Sequence, residues 1–393
     1  MIIHTSMKKD LQLSSLSSLC HIASLWIALN IIIFYTTYSQ TNPNFNVNLL
    51  MDYSAVEKSI DLFEDEYVNT QTLSELRGNR IAASTTGLIA NRGNVINILK
   101  NFLDSLRYHQ IIRDDIYHLE DARKNVANIK ELLEEMKKQN FNRRVAATVE
   151  QIFPEDANFS ITIPVYVVAL GHENVDAYVR RIIWHGDTPQ FVGENSGELN
   201  IVINLAHSID YGTNVEERFI SLLGVVAHEV FHAAFSAYKE NSRSWKYFYK
   251  NRTEFIDDLL DLTQNEGIAY YLSFDQRGRG FVPRDWNVKI RQVFSEFNNN
   301  ATQLLSDSIT HGRAGQLIRK ANLSGSWENY GAMTGMFIAR EIDLRLGRAT
   351  LIETISSGPF DFFLKYSTLS ERDSELPKFS TKIEEKIRKK QIK

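Results

Sequence analysis

The segment Asn214–Lys239, NVEERFISLLGVVAHEVFHAAFSAYK, constrains this chain more than any other. Between Phe219 and Phe235 its only ionisable residues are His228, Glu229 and His232, and nearly everything else is apolar. A helix that is apolar all round is buried, and Asn214 followed by Glu217 is a capping-box pattern that opens one. Two imidazoles and a carboxylate carried into such a place need partners. In His228-Glu229-Val230-Phe231-His232 the imidazoles fall one turn apart on one face, where both reach a single metal ion. Glu229 is turned by about 100° from His228, so it addresses a water on that metal rather than the metal. That is the position of a general base. The competing reading is a buried helix with two hydrogen-bonded histidines and no ion.

One cysteine among 393 residues excludes a disulfide framework and a multi-cysteine metal site, so further ligands must be histidines or carboxylates. The stretch Phe255–Phe274 has helical spacing, with Phe255, Leu259, Leu262, Glu266 and Ala269 on one stripe and Asp257, Asp258 and Asp261 elsewhere. Glu266 is therefore an inward carboxylate that needs a cation, either a metal or an arginine at the core edge. His172 and His207 near strand ends and His311 in the loop-like HGRAG are the competing ligands. The pattern predicts one Zn2+ per chain on His228, His232 and Glu266, with one position left open.

HEVFH followed by NEGIAYY resembles the gluzincin metallopeptidases, the thermolysin-like group with two helical histidines and a downstream glutamate. The run Glu266–Tyr271 is similar to the EGxAxY pattern of several bacterial branches of that clan. Asn329–Leu351 looks like the helix those branches place after the third ligand, with a tyrosine at its start and Gly-Arg at its end. The nearest likeness is an uncharacterised bacterial family of zinc-dependent peptidases, over roughly residues 161–351. One departure concerns the residue four after the glutamate: an aspartate that orients a histidine ligand in thermolysin, Tyr270 here.

The resemblance implies an α+β, mostly helical fold: a small mixed sheet packed on the HExxH helix and a helical C-terminal lobe. It implies hydrolysis of peptide bonds, with Glu229 as base and a peptide or protein substrate. It also implies that an edge strand pairs with substrate; Leu199–Leu205 is the natural candidate, and an ordinary core strand the alternative. Tyr330 opens the helix placed over the cleft, either as a catalytic donor to the carbonyl oxygen or packed in the core; His311 is the next donor. The rival functions are a zinc hydrolase of a non-peptide amide and a non-catalytic exported binding protein that retains a metal site.

Residues 1–39 read as a signal peptide: Lys8 and Lys9 precede an apolar run, Ile22–Tyr35, and Thr37 and Ser39 supply small residues before Gln40. An uncleaved anchor is the alternative. Residues 40–153 form an N-terminal helical region, with a polar linker at 41–50, a loop at Ala82–Gly93 and an amphipathic helix over Arg113–Gln139. Residues 154–370 form the metallopeptidase domain, with strands at Ile161–Leu170 and Glu198–Leu205. Within it, Glu240–Arg252 either lines a cleft or packs Trp245, Phe248 and Tyr249 inward. Residues 371–393 are a charged tail, a solvated helix end. Lys+Arg 44 against Asp+Glu 48, evenly mixed, gives no basic face for nucleic acid. With the signal removed, no apolar run is left to span a bilayer, so the expected location is periplasmic or secreted.

Overall fold

The computed structural model describes residues 45–170, 177–193, 196–278, 281–282, 284–322 and 328–391; the signal-peptide segment and His172 lie outside them. The stretch from Tyr53 to Phe153 contains no proline, and after strand β1 (Phe45–Asp52) it folds into seven helices. These are α1 (Ser54–Phe63), α2 (Thr70–Glu75), α3 (Arg77–Ile89), α4 (Val95–Arg107), α5 (Leu119–Lys124), α6 (Val126–Lys138) and α7 (Phe141–Glu150).

Three expectations for this region change. The linker at 41–50 gives way to β1, where Phe45, Val47 and Leu49 are buried and the residues between them exposed. The small residues of Ala82–Gly93 belong largely to α3, which packs on strand β2 (Phe159–Val168); a Cβ on its Gly78 would stand 3.0 Å from Val168 and 3.1 Å from Tyr166. The long helix over Arg113–Gln139 is two helices, α5 and α6, meeting at Asn125.

Strands β3 (Ala177–His185), β4 (Thr188–Phe191) and β5 (Glu198–Asn204) complete one five-stranded sheet in the order β1-β2-β5-β3-β4. β2 pairs with β5 in parallel, while β3 pairs antiparallel with both β5 and β4, so the sheet is mixed. Gly186, at φ +60, turns β3 into β4, as the first position of a tight hairpin requires. β5 is not an edge strand. Ile201 faces Val165 on one side and Val179 on the other, so the β5 backbone is already paired along both flanks.

The remaining elements are helical: α8 (Leu205–Ser208), α9 (Val215–Asn241), α10 (Arg243–Asn251), α11 (Phe255–Asp275), α12 (Trp286–Leu304), α13 (His311–Lys320), α14 (Tyr330–Leu346), α15 (Arg348–Ser357), α16 (Pro359–Arg372) and α17 (Thr381–Gln391). The fold is mostly helical with one small mixed sheet. α9 starts where expected: the Asn214 side chain accepts from Glu217 N at 2.9 Å, while Glu217 reaches back one residue further, to Thr213 N at 2.8 Å. α6 and α7 pack directly on α9, and Asn46–Lys393 holds together as one unit with no boundary near residue 153. Phe153 and Phe159 meet Phe231, Phe235 and Tyr238 of α9 in one aromatic cluster. A second cluster, with ring centroids 5.2–5.8 Å apart, joins Phe294, Phe297, Phe337, Phe363, Tyr366 and Phe379 in the C-terminal lobe.

The tail is docked rather than solvated. Ile383 and Ile387 are buried, and Lys386 and Lys390 bond the acidic residues Glu254 and Asp257 at the start of α11.

Candidate metal centre

Two helices build the site, and their register decides which residues meet. α9 runs antiparallel to α11: Lys239 bonds Asp261, His232 meets Asn265, and Gly224 lies against Ser273. A Cβ on Gly224 would stand 2.7 Å from the Ser273 carbonyl oxygen, so only glycine lets the helices come this close. At the other end the Lys239 ammonium is buried between Phe235 and Trp245, at 4.2 and 4.3 Å from the ring centroids, and bonds Asp261 at 2.6 Å. Tyr249 donates to the second Asp261 oxygen at 3.0 Å. Within Glu240–Arg252, Trp245 and Phe248 therefore pack inward as a helix of the core, whereas Tyr249 stays partly exposed and uses its hydroxyl as a clamp.

Clamped at both ends, α11 presents Glu266 to the two histidines. His228 Nε2 and His232 Nε2 are 3.0 Å apart, and Glu266 Oε2 lies 3.7 and 3.3 Å from them. Among the described residues these three form the group of potential ligands able to hold a metal, all ligand atoms lying within 4.8 Å of one another. A tetrahedral ion with bonds of 2.0–2.2 Å needs ligand atoms about 3.3–3.6 Å apart, and the observed separations bracket that range. Their side chains are 14, 23 and 13% exposed, so the cluster is open to solvent on one side.

The outer partners favour a cation as well. Asn265 Oδ1 lies 3.2 Å from His232 Nδ1, which places the proton on Nδ1 and leaves the Nε2 lone pair facing the cluster. The Ala269 main chain is hydrogen-bonded to His228; since Nε2 faces the cluster, this bond falls to Nδ1. Asn322 Nδ2 donates to Glu266 Oε1 at 2.8 Å. Two imidazole lone pairs and a carboxylate oxygen thus converge on one point, and a metal ion fits that donor set.

Where thermolysin carries an aspartate, Tyr270 sets its ring edge-on to His228, centroids 4.6 Å apart. The orienting hydrogen bonds come instead from Asn265 and the Ala269 carbonyl. Asn265, Glu266, Ala269 and Tyr270 share one strip of α11, so the amide and the tyrosine beside an inward glutamate were the signal available for these partners. Asn322 follows α13 and is brought in by tertiary packing alone.

The other candidates lie elsewhere. Tyr330 is fully buried, packs on Phe297, and donates its hydroxyl to the Leu317 carbonyl at 2.8 Å. Its one donor is committed within the core, so the oxyanion role is withdrawn for Tyr330. His311 is exposed beside the Phe255 ring, and His207 lies near Tyr211 and Asp210; neither joins the cluster. The family-like residues around Tyr271 form a structural lock behind the site. Tyr271 donates to Asp343 at 2.5 Å, and Arg348 bridges Asp343 and Asp275 at 2.7 and 2.6 Å.

Burial and the neighbouring His232 push the His228 imidazole down to about 3. Burial also opposes charge on His232, but the Glu266 and Glu229 carboxylates and Asn265 outweigh it and raise the pKa above the ordinary histidine value. Glu266 is held below the usual carboxylate range: burial raises it, and the two histidines and Asn322 more than offset that. A metal entering the site must therefore displace a proton from His232. Affinity is expected to be full above the raised His232 pKa and to fall about tenfold per pH unit below it. A competition titration against a chromophoric chelator from about pH 8 to about pH 5.5 reads this directly; a flat profile would contradict it.

Residues 49–375 match the family described as "Putative zinc dependent peptidase (DUF5700)". The chain belongs to this family. The match spans the N-terminal helices as well as the two ligand-bearing helices, so the family unit is the whole of α1–α16 with the second half of β1. No curated protein and no solved structure matches the chain.

Proposed function

We propose that this protein is an exported zinc-dependent peptidase of gluzincin type, holding one zinc ion on His228, His232 and Glu266. The convergence of the three ligand atoms at tetrahedral spacing carries the reading, and the family match supports it. A zinc ion held there supplies a Lewis acid that polarises the scissile carbonyl and acidifies water. Glu229 is half-buried on the next position of α9, and its charge is felt at both His232 and Tyr270. It takes a proton from the attacking water and returns it to the leaving nitrogen.

The donor to the developing oxyanion is Tyr270 rather than Tyr330. Its oxygen accepts from Asn329 Nδ2 at 3.4 Å, which leaves its own O–H to donate. Burial and the nearby Glu266 charge raise its pKa, so it keeps that proton at neutral pH. Tyr270→Phe is expected to lower kcat by about 10–10³-fold with metal content unchanged and KM little altered. Wild-type kcat in this variant would reduce Tyr270 to a packing partner of His228.

The substrate class is tested by incubating the zinc-loaded protein with a defined peptide mixture and reading new termini by mass spectrometry. Internal or terminal cleavage that stops on chelation is expected. Intact peptides alongside turnover of small non-peptide amides would make it a different amidohydrolase, and no turnover of either would leave a metal-binding protein. Sequencing the N-terminus of secreted material tests the assignment of residues 1–39, with Gln40 expected first.

A further inference from the structure

A cavity of about 880 Å3 lies at the N-terminal end of α11, away from the metal cluster near the helix middle. Its walls are α10, the starts of α11 and α16, and α17. Glu254, at the mouth of this cavity, and Glu266, in the cluster, are 12 positions apart on one helix, roughly 18 Å. Phe248 and Phe360, packed edge-to-face at 5.4 Å, are apolar residues in an otherwise largely polar lining.

Its lining carries five cationic side chains, Arg243, Lys250, Arg252, Lys386 and Lys390, against three acidic ones, Glu254, Asp257 and Asp361, the last with one carboxylate oxygen buried and without a hydrogen-bond partner among the described residues. Glu254 and Asp257 are already neutralised by Lys386 and Lys390, and Arg252 is paired with Asp258 at 3.1 Å. Arg243 and Lys250 remain, exposed and with no acidic partner among the described residues. They stand seven positions apart on α10, on one stripe with the exposed Tyr247 between them. Two turns of helix separate them by about 10.5 Å along the axis.

We propose that this groove docks an extended acidic peptide segment. Two carboxylates four residues apart, which an extended chain turns to the same face, span roughly 13 Å at 3.3 Å per residue, within side-chain reach of the pair of cations. An apolar side chain between them would seat on Phe248 and Phe360 beside Tyr247. If the peptidase reading holds, the groove acts as an exosite that favours acidic substrates; the docking itself does not depend on that reading.

The test uses full-length Glu229→Gln protein, so that turnover cannot interfere, and a fluorescein-labelled peptide with two glutamates four residues apart flanking a leucine. Fluorescence anisotropy should show binding that weakens with salt. Replacing both glutamates by glutamine should raise Kd at least tenfold, and so should Arg243→Glu with Lys250→Glu. Both substituted residues are exposed, so the melting temperature should stay unchanged. Equal binding of the glutamate and glutamine peptides, or indifference to the double charge reversal, would overturn the proposal. Displacement by heparin at lower concentration than by unlabelled peptide would also overturn it and make the groove a general polyanion site. In the otherwise wild-type enzyme, the same double variant should raise KM for a substrate carrying the acidic segment and leave a short neutral substrate unaffected. Peptide binding without any hydrolysis would sink the peptidase reading and leave the groove standing.

Discussion

Glu229→Gln is expected to keep its metal and its melting temperature while losing peptide hydrolysis by about 10²–10⁴-fold or more. Glutamine preserves the size and shape of the side chain and one acceptor oxygen, and removes the charge and the basic oxygen that takes the proton. Glu229 does not belong to the ligand triad, so its charge is not needed to retain the ion. It follows His228 directly on α9, where the helix turns it aside from the cluster. Metal analysis and kcat on the same preparation separate the two effects. Activity within a few-fold of wild type would remove Glu229 from the chemistry.

Gly335→Ala should have the largest effect on stability of any single-methyl change in the molecule. α14 lies against α11 with backbone touching backbone: a Cβ on Gly335 would stand 1.9 Å from the Thr263 carbonyl oxygen and 2.8 Å from Gly267 Cα. Neither neighbour is a flexible side chain, so the added methyl can be accommodated only by moving one helix off the other. Overpacking in a dense core costs 1–3 kcal/mol where side chains can shift, and here about 3 kcal/mol or more is expected. Gly267 adjoins Glu266, so the displacement should also weaken metal binding. Thermal unfolding with a metal titration reads both effects. A melting temperature and affinity within error of wild type would mean the crossing is looser than described.

The helix that carries the chemistry was legible because its pattern is local. An apolar run with two histidines and a glutamate at helical spacing leaves few alternatives, and the inward stripe on α11 led to Glu266 by the same periodicity. The three aspartates set aside from that stripe do serve other ends: Asp257 closes the helix start, Asp258 pairs with Arg252, and Asp261 clamps Lys239.

What was not legible depends on who sits beside whom. β1 alternates buried and exposed residues, but its asparagines made it read as a linker. The small residues of Ala82–Gly93 suggest a loop, although Ala82, Ala83, Thr85, Thr86 and Gly87 are buried positions of α3. Gly186-Asp187, between β3 and β4, is a hairpin signal that the sequence does carry. Strand periodicity carries no information on sheet order, so nothing in ELNIVIN marks β5 as central. Tyr330 fits a catalytic role by position along the chain, and only the packing of α12, α13 and α14 shows its hydroxyl turned to Leu317. The lysines of α17 look like a solvated tail until α11 is placed beside them.

His228, His232 and Glu266 together are expected to hold one zinc ion in a site built for hydrolysis. Metal content of the purified protein and of Glu266→Ala, measured by mass spectrometry after dialysis against a weak chelator, tests it most directly. About one zinc per wild-type chain is expected, with loss of most of it in Glu266→Ala and the fold retained. Full zinc retention in that variant, or a wild-type protein that takes up no zinc at neutral pH, would contradict it.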